Sequence, residues 1–521
     1  MNQQIGCAPT TTTMILRALS RFPDRTAFAW NGGHLSYAGV SGLIGTLQSA
    51  MVAAGLKKGD VAALLSANSA ETWCASVAAQ ALGILITWLH PLGSLSDHLA
   101  VVEDIGATAL IVDPKTHAER GAELAANATR PLKVTFTMGC AGFGQDLLLA
   151  ADKAGAVSPV DLTHIDDHAI VNYTGGTTGR SKGAIRRHRA VAATAQSIAA
   201  EFELPDHPRY LAAAPITHVS GSFVLPSLLR GGTVHLLGGF DPDEFLAAVA
   251  RERINVTMMV PTMIYVMLDH PKLDVTDLST LDLILYGASP MSPTRLLEGM
   301  QRIGPVFSQL YGQTECYPIS LLRRADHDAR RPELFSSCGF PLASCDVKLL
   351  DDNNEQVKQG EAGEICVRAA QAMEGYWKRP EQTAETFAGG WLHTGDIARA
   401  DERGYLYIVD RKKDMIVSGG FNVFPREVED VLSSHPDVAM AAVVGVPHPK
   451  WGEAVTALVV AKAGKRLEAE TLMQLVRDRK GGTHVPKHVE FVDSLPLTAV
   501  GKVDKKALRA RYWAGQQRQV G

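Results

Sequence analysis

For its first ~400 residues the chain alternates short apolar runs, bounded by turn residues, with amphipathic helical segments, the pattern of an α/β fold. Residues 59–66 ("GDVAALLS") and 107–114 ("ATALIVDP") read as buried strands. In "DPDEFLAAVARERINVTMMVP", Asp241 is placed to cap a helix, Pro242 suits its first position and Glu244 completes a capping box. Phe245, Leu246 and Val249 then share one face, and a strand follows at 256–260. A second regime begins near Asp410. There "PREVEDVLSSHP" is an amphipathic helix with Val428, Val431 and Leu432 on one side, and "DVAMAAVVGVP" and "EAVTALVVAKAG" read as strands. A helix around 472–476 and a basic helical end, "KVDKKALRARY", complete an α+β domain of about 110 residues. The expected division is 1–410 and 411–521. The joint, "DRKKDMIVSGGFNVFP", mixes charge, Gly and Asn, and its composition fits a hinge and a surface turn equally.

A chain of 521 residues that is 46% hydrophobic exceeds one core, so about two to four domains or subdomains are expected. A formal net charge of −4 offers no attraction to nucleic acid or an anionic membrane. The seven cysteines are odd in number, scattered and without a C-x-x-C pair, which disfavours disulfides and zinc and fits a reducing compartment. The start lacks a basic segment followed by a long apolar run, and windows such as "AAQALGILITWL" fall short of the ~20 residues of a membrane span. A cytoplasmic protein with no membrane span is expected.

The stretch "YTGGTTGRSKGAIRRH" (173–188) follows a strand-like "HAIVNY" and precedes a helix-like segment. Successive small residues present backbone N–H groups as a concave nest for phosphate oxygens. Thr177 and Thr178 add hydroxyls and Lys182 a point charge. The spacing is not that of a P-loop, in which Gly directly precedes Lys, because Ser181 stands there. Taken alone, the stretch also fits a flexible Gly/Thr turn without a ligand.

With its companions this stretch resembles the adenylate-forming superfamily: acyl- and aryl-CoA ligases, luciferases and peptide-synthetase adenylation domains. The companions, in the family's order, are "PITHVSG", "YGASP", "YGQTE", "GEICVRA", "GYWKRPEQT", "WLHTGD", "DRKKDMIVSGGFNVFPREVE" and "LPLTAVGKVDKKAL". The resemblance implies a large N-terminal domain of α/β subdomains plus a small β-barrel-like subdomain, and a small mobile α+β C-terminal domain. It also implies a two-step reaction. A carboxylate attacks the α-phosphate of ATP, giving acyl-AMP and pyrophosphate; a nucleophile, usually the CoA thiol, then displaces AMP.

The roles it implies are specific. Thr174, Gly175, Gly176, Thr177, Thr178, Gly179 and Lys182 cradle the β- and γ-phosphates. Glu315 binds Mg²⁺ with Thr178, since hard Mg²⁺ takes oxygen ligands, and Thr314 beside Gln313 reaches the α-phosphate. Tyr311 offers a flat face to adenine, with Gly287, Ala288 and Ser289 on the base's other side. Asp396 accepts the ribose hydroxyls, and Ile408 and Arg411 flank the ribose and phosphate. Lys502 swings in on the C-terminal domain and neutralises charge at the transferring phosphorus. Lys413, where many relatives carry Asp, is the pivot; Gly419 and Gly420 line a thiol tunnel flanked by Trp451.

His218 stands between the acid pocket and that tunnel, with Val219, Ser220, Gly221 and Phe223 on one wall and Tyr286, Ala288 and Gly312 on the other. These are mainly small and apolar, which points to an uncharged aliphatic, alicyclic or aryl acid. Peptide-synthetase relatives keep an acidic residue near this position, and "THVSGSF" has none. Other departures are Thr217 where an aromatic is common, Gly176 where Ser is common and Ser181 where Pro is common. The expected activity is acid–CoA ligation with ATP, Mg²⁺ and coenzyme A. The alternative hands the same adenylate to an amine. Expected partners are small molecules and a second copy of the chain.

Overall fold

The computed structural model describes residues 8–173, 181–419, 421–497 and 503–513. Two large sheets form its body. The eight-stranded sheet runs in the order Gly375–Tyr376, Gly183–Arg187, His168–Tyr173, Leu85–Trp88, Val61–Leu65, Ala109–Val112, Val134–Thr137 and Gln145–Asp146. It is parallel from His168–Tyr173 onward. The nine-stranded sheet runs Phe340–Pro341, Cys316–Leu322, Phe307–Gln313, Leu283–Gly287, Val256–Met259, Arg209–Ala212, Thr233–Leu236, Thr26–Trp30 and Gly33–Ser36. Its strands from Phe307–Gln313 to Thr26–Trp30 are parallel and its outer pairs antiparallel.

Parallel strands are covered on both faces, so they are read as apolar runs rather than alternations. Val61–Leu65 and Ala109–Val112 lie inside the two runs expected to be strands. The helix Pro242–Arg251 starts where its signals place it: the Asp241 carboxylate accepts from the Glu244 N–H at 2.9 Å, and Phe245, Leu246 and Val249 are buried. Between the sheets, Phe28, Phe202, Tyr210 and Phe223 belong to the largest core cluster.

Asn68, just after the strand Val61–Leu65, ties the two sheets together. Its carboxamide donates to the carbonyls of Ala212 (3.0 Å), Ala214 (3.1 Å) and Leu237 (2.9 Å) and accepts from the Ile216 N–H (2.8 Å). The segment leading to His218 is thereby held against the other sheet.

The small third unit corrects the expectation of a barrel-like subdomain. Its strands Cys345–Leu350, Gly363–Ala369, Leu392–Ala400 and Leu406–Arg411 form an open antiparallel sheet of four. Four strands are too few to close around filled side chains, and the two outer strands do not pair with each other.

Beyond it, Phe421–Val423, Ile416–Ser418, Gly452–Ala461, Val438–His448 and His488–Phe491 form a separate sheet. The helices Pro425–Ser433, Ala469–Lys480 and Lys505–Ala510 accompany it. Ile416, Val428, Leu432, Val443, Val455, Leu472 and Val476 give it a core of its own. Among the described residues no helix is long and apolar enough to cross a membrane. Cys74, Cys140, Cys316, Cys338, Cys345 and Cys366 are free thiols.

Candidate active site

Parallel sheets gather their functional loops beyond the carboxyl ends of the strands. His218 follows Arg209–Ala212, Ala288 and Ser289 follow Leu283–Gly287, and Thr314 and Glu315 follow Phe307–Gln313. From the other sheet, His90 follows Leu85–Trp88. These loops open on one cleft, which Lys182, Val219, Gly221, Tyr311, Gly312, Gln313, Asp396, Ile408, Arg411 and Lys413 also line. Ala288 is exposed there at φ +66°, a backbone conformation that costs a non-glycine residue energy and is concentrated at functional sites.

Two polar clusters meet across this cleft. In the first, the Tyr376 hydroxyl donates to Glu315 Oε1 at 2.7 Å, and Lys182 Nζ lies 4.9 Å from the Tyr376 ring centroid. Tyr376 stands opposite Ala184 in the strand that leaves the Gly/Thr-rich loop, so ladder pairing delivers the phenol to both groups. Arg186 Nη2 donates to the Thr314 carbonyl at 2.6 Å, and burial pulls the guanidinium's pKa down. In the second cluster Asp396 is 5% exposed and doubly held: Tyr311 donates to Oδ2 at 2.7 Å, and Arg411 Nε lies 3.1 Å from Oδ1. Asp396 raises the pKa of Arg411; burial first, and then Asp396, push the Tyr311 phenol well above its usual range. Gln313 Nε2 donates to the Thr394 carbonyl at 3.1 Å, and the Gly395 N–H donates to Glu364 Oε1 at 2.8 Å. The turn before Asp396 is thus pinned from both sides.

The second carboxylate oxygen of Glu315 has no bonded partner among the described residues, and the side chain faces the cleft. A hard divalent cation such as Mg²⁺ fits that donor.

Not every expected wall residue faces the cleft. Val219–Phe223 winds as a 3-10 helix. With three residues per turn, 220 and 223 share one face; Phe223 lies wholly in the core, while Ser220 is buried and still borders the cleft. The Ser220 hydroxyl lies 2.7 Å from that of Tyr210, and Phe223 packs on Phe202 and Tyr210. Val219 and Ser222 take the cleft side. Gly221 is required by crowding, since a Cβ there would stand 1.8 Å from the Ile216 carbonyl oxygen. Tyr286 also turns inward, on a strand buried along its whole length, with its hydroxyl 2.9 Å from His327 Nε2. Gly287 lies behind the cleft, with the Leu310 carbonyl where a Cβ would go.

Gly419 and Trp451 do not line the cleft either. They contact each other: the Gly419 N–H donates to the Trp451 carbonyl at 2.8 Å, and the indole covers Gly419. Lys450 and Lys487 lie 4.8 and 5.3 Å from the Trp451 ring. Thr174, Gly175, Gly176, Thr177, Thr178, Gly179, Gly420 and Lys502 lie outside the described residues. Val503, Asp504, Lys505 and Lys506, next to Lys502 in the chain, line the cleft.

Asn68, His90, Arg186 and Tyr376 were missed by the sequence reading. Tyr376 sits inside a quoted motif. Arg186 carried only a weak signal, one of two adjacent arginines ending the strand Gly183–Arg187. His90 and Asn68 carried none, since their partners lie in other loops.

The AMP-binding enzyme model matches residues 15–377, and the AMP-binding enzyme C-terminal domain model matches residues 427–502. The medium/long-chain-fatty-acid–CoA ligase FadD8 of Mycobacterium tuberculosis is 43% identical over 98% of this chain and 91% of its own length. A feruloyl-CoA synthase of Amycolatopsis is 40% identical over 98% of this chain and 99% of its own. The solved structure of the amide bond synthetase McbA from Marinactinospora thermotolerans superposes with a TM-score of 0.88 at 34% identity, over 96% of this chain and 99% of that one.

Proposed function

The chain belongs to the AMP-binding enzyme family, and on that premise we propose that it is an ATP-dependent ligase joining a hydrophobic carboxylic acid to the thiol of coenzyme A. The carrying observation is that the Lys182–Tyr376–Glu315 and Tyr311–Asp396–Arg411 clusters face one cleft. One suits a triphosphate with its cation, the other a ribose.

In the first step a substrate carboxylate oxygen attacks the α-phosphorus and pyrophosphate leaves. Such transfers are catalysed by positioning and charge stabilisation. Lys182 holds the departing phosphates together with the loop from Thr174 to Gly179. Glu315, with Thr178, would hold Mg²⁺, which would neutralise phosphate charge. Thr314 lies at the α-phosphate, with Gln313 fixing the strand end behind it. Asp396 and Arg411 orient the ribose, Ile408 packs beside it, and Tyr311 braces Asp396 while lining the base site with Ala288 and Ser289. The acid lies along Val219, Gly221, Ala288 and Gly312. Tyr376 orients Glu315, so Tyr376→Phe is expected to raise the KM for ATP by roughly 3–10-fold, the scale of one ordinary net hydrogen bond acting through Glu315. An unchanged KM in a steady-state titration removes Tyr376 from the site.

In the second step the thiol attacks the acyl carbon and AMP leaves. The proposed moving parts are 1–410 and 411–521, with Lys413 as pivot. The residues beside Lys502 line the cleft, which suits the adenylating arrangement. Rotation would exchange that face for Gly419, Gly420 and Trp451. Lys450 and Lys487 over Trp451 give that surface positive charge, which suits the phosphates of coenzyme A and favours it as acceptor.

The likeness to an amide bond synthetase supports a second reading, in which an amine takes the acyl group. A panel of aliphatic, alicyclic and aryl acids, assayed for pyrophosphate release with CoA or with amines, separates the two. Thioester is the expected product. Amide without thioester overturns the first reading, and no pyrophosphate from any acid overturns both.

A further inference from the structure

The loop after the strand Leu85–Trp88 is built around one imidazole. The Leu92 N–H donates to His90 Nδ1 at 3.1 Å, so the neutral ring carries its proton on Nε2. The His90 carbonyl accepts from the Gly93 N–H and from His98 Nε2, both at 2.8 Å. Gly93 is needed there, because a Cβ would stand 2.4 Å from His98 Nε2. Arg120 Nη1 donates to the Gly93 carbonyl at 2.8 Å, and His117 Nε2 donates to the Pro91 carbonyl at 3.0 Å. A loop fastened this thoroughly leaves its leading side chain little freedom.

That side chain meets His218. The two ring centroids are 4.5 Å apart at an interplanar angle of 68°, an edge-to-face contact. On its other side His218 Nδ1 lies 2.7 Å from the Thr217 hydroxyl. The His218 ring faces the open cleft between these two contacts. The surrounding protein lowers the pKa of both imidazoles, and together with His90 it brings that of His218 to about 4 although the ring borders the open cleft. The contact therefore joins two neutral rings with no charge repulsion to open it.

We propose that His90 is a positioning residue for acyl transfer, holding the His218 ring in place between the acid site and the path of the incoming acceptor. The inference rests on the proposed ligase reading and adds a residue to it. A merely structural loop residue would lower both half-reactions, and independently of His218. A positioning residue acts through His218 alone, and contacting pairs of this kind are non-additive.

The test is a double-mutant cycle of H90A and H218A, measured separately for ATP–pyrophosphate exchange and for acyl transfer from supplied acyl-AMP. H90A is expected to slow transfer by up to ~10-fold, the scale of an edge-to-face ring pair, with exchange changed by less than about 2-fold. His90→Phe, which keeps a ring, is expected to recover most of the transfer rate. In the H218A background, H90A should add less than about 2-fold. Losses that multiply in the double variant, equal losses in both half-reactions, or no rescue by Phe overturn the proposal. If H90A does not fold, His90→Gln, which also lacks a ring, takes its place in the cycle. Wild-type protein that exchanges no pyrophosphate with any acid sinks the ligase reading instead, so the two failures are distinguishable.

Discussion

Lys502→Ala is expected to lower ATP–pyrophosphate exchange by roughly 1000-fold while thioester formation from supplied acyl-AMP persists. The magnitude is that of removing a cation from the charge developing on a transferring phosphoryl group, the role proposed for Lys502. The selectivity follows from where the lysine is attached. Lys502 precedes the helix Lys505–Ala510, and that helix is tied down at both ends. Lys505 Nζ lies 2.8 Å from Glu429 and Arg509 Nη1 2.6 Å from Asp414, beside the proposed pivot. Asp504 accepts the Ala507 N–H at 3.0 Å. In the proposed two-arrangement cycle the lysine would travel with the C-terminal unit and serve only one of the two half-reactions. Isotope exchange between pyrophosphate and ATP reads the first half-reaction directly. Exchange at the wild-type rate would remove Lys502 from the mechanism.

The second large effect is expected at Asp396. Asp396→Ala should lower kcat/KM for ATP by roughly 100-fold, about the loss seen when a preorganised polar group is removed from a reacting complex. It should also destabilise the fold by about 1–3 kcal/mol, because the Tyr311 hydroxyl loses its acceptor inside the protein. Arg411 adds little to that cost, since its side chain is 45% exposed and water replaces the lost partner. Asp396→Asn separates the two effects. The amide oxygen still accepts from Tyr311, so thermal melting should stay near wild type, while the charge toward Arg411 and the second acceptor are gone. An Asn variant with an unchanged KM for ATP would remove Asp396 from nucleotide binding.

The legible part of the fold was its class and its element boundaries. Strand runs such as Val61–Leu65 and the capped helix Pro242–Arg251 are local events, specified by apolar spacing and one capping carboxylate. The smallest unit was misread because a run of antiparallel strands looks the same in sequence whether or not its edges meet. In the site, the motif at 215–221 located the loop but not the direction of its side chains. A wall from Val219 to Phe223 was expected, and the 3-10 winding took Phe223 out of it, into the core.

By itself the sequence determined the family and the reaction type, because these depend on residue identity at fixed local spacing. The tertiary structure alone decided which groups act together. Tyr376 reaches Glu315 across 61 positions and Tyr311 reaches Asp396 across 85. His90 meets His218 only because the carboxyl ends of two separate sheets open on one cleft. Such pairings follow from strand order and sheet docking, and they leave no periodic trace in the chain. The Asn68 clamp holds the His218 segment against the neighbouring sheet, and from the residues alone neither the clamp nor what it aligns was visible.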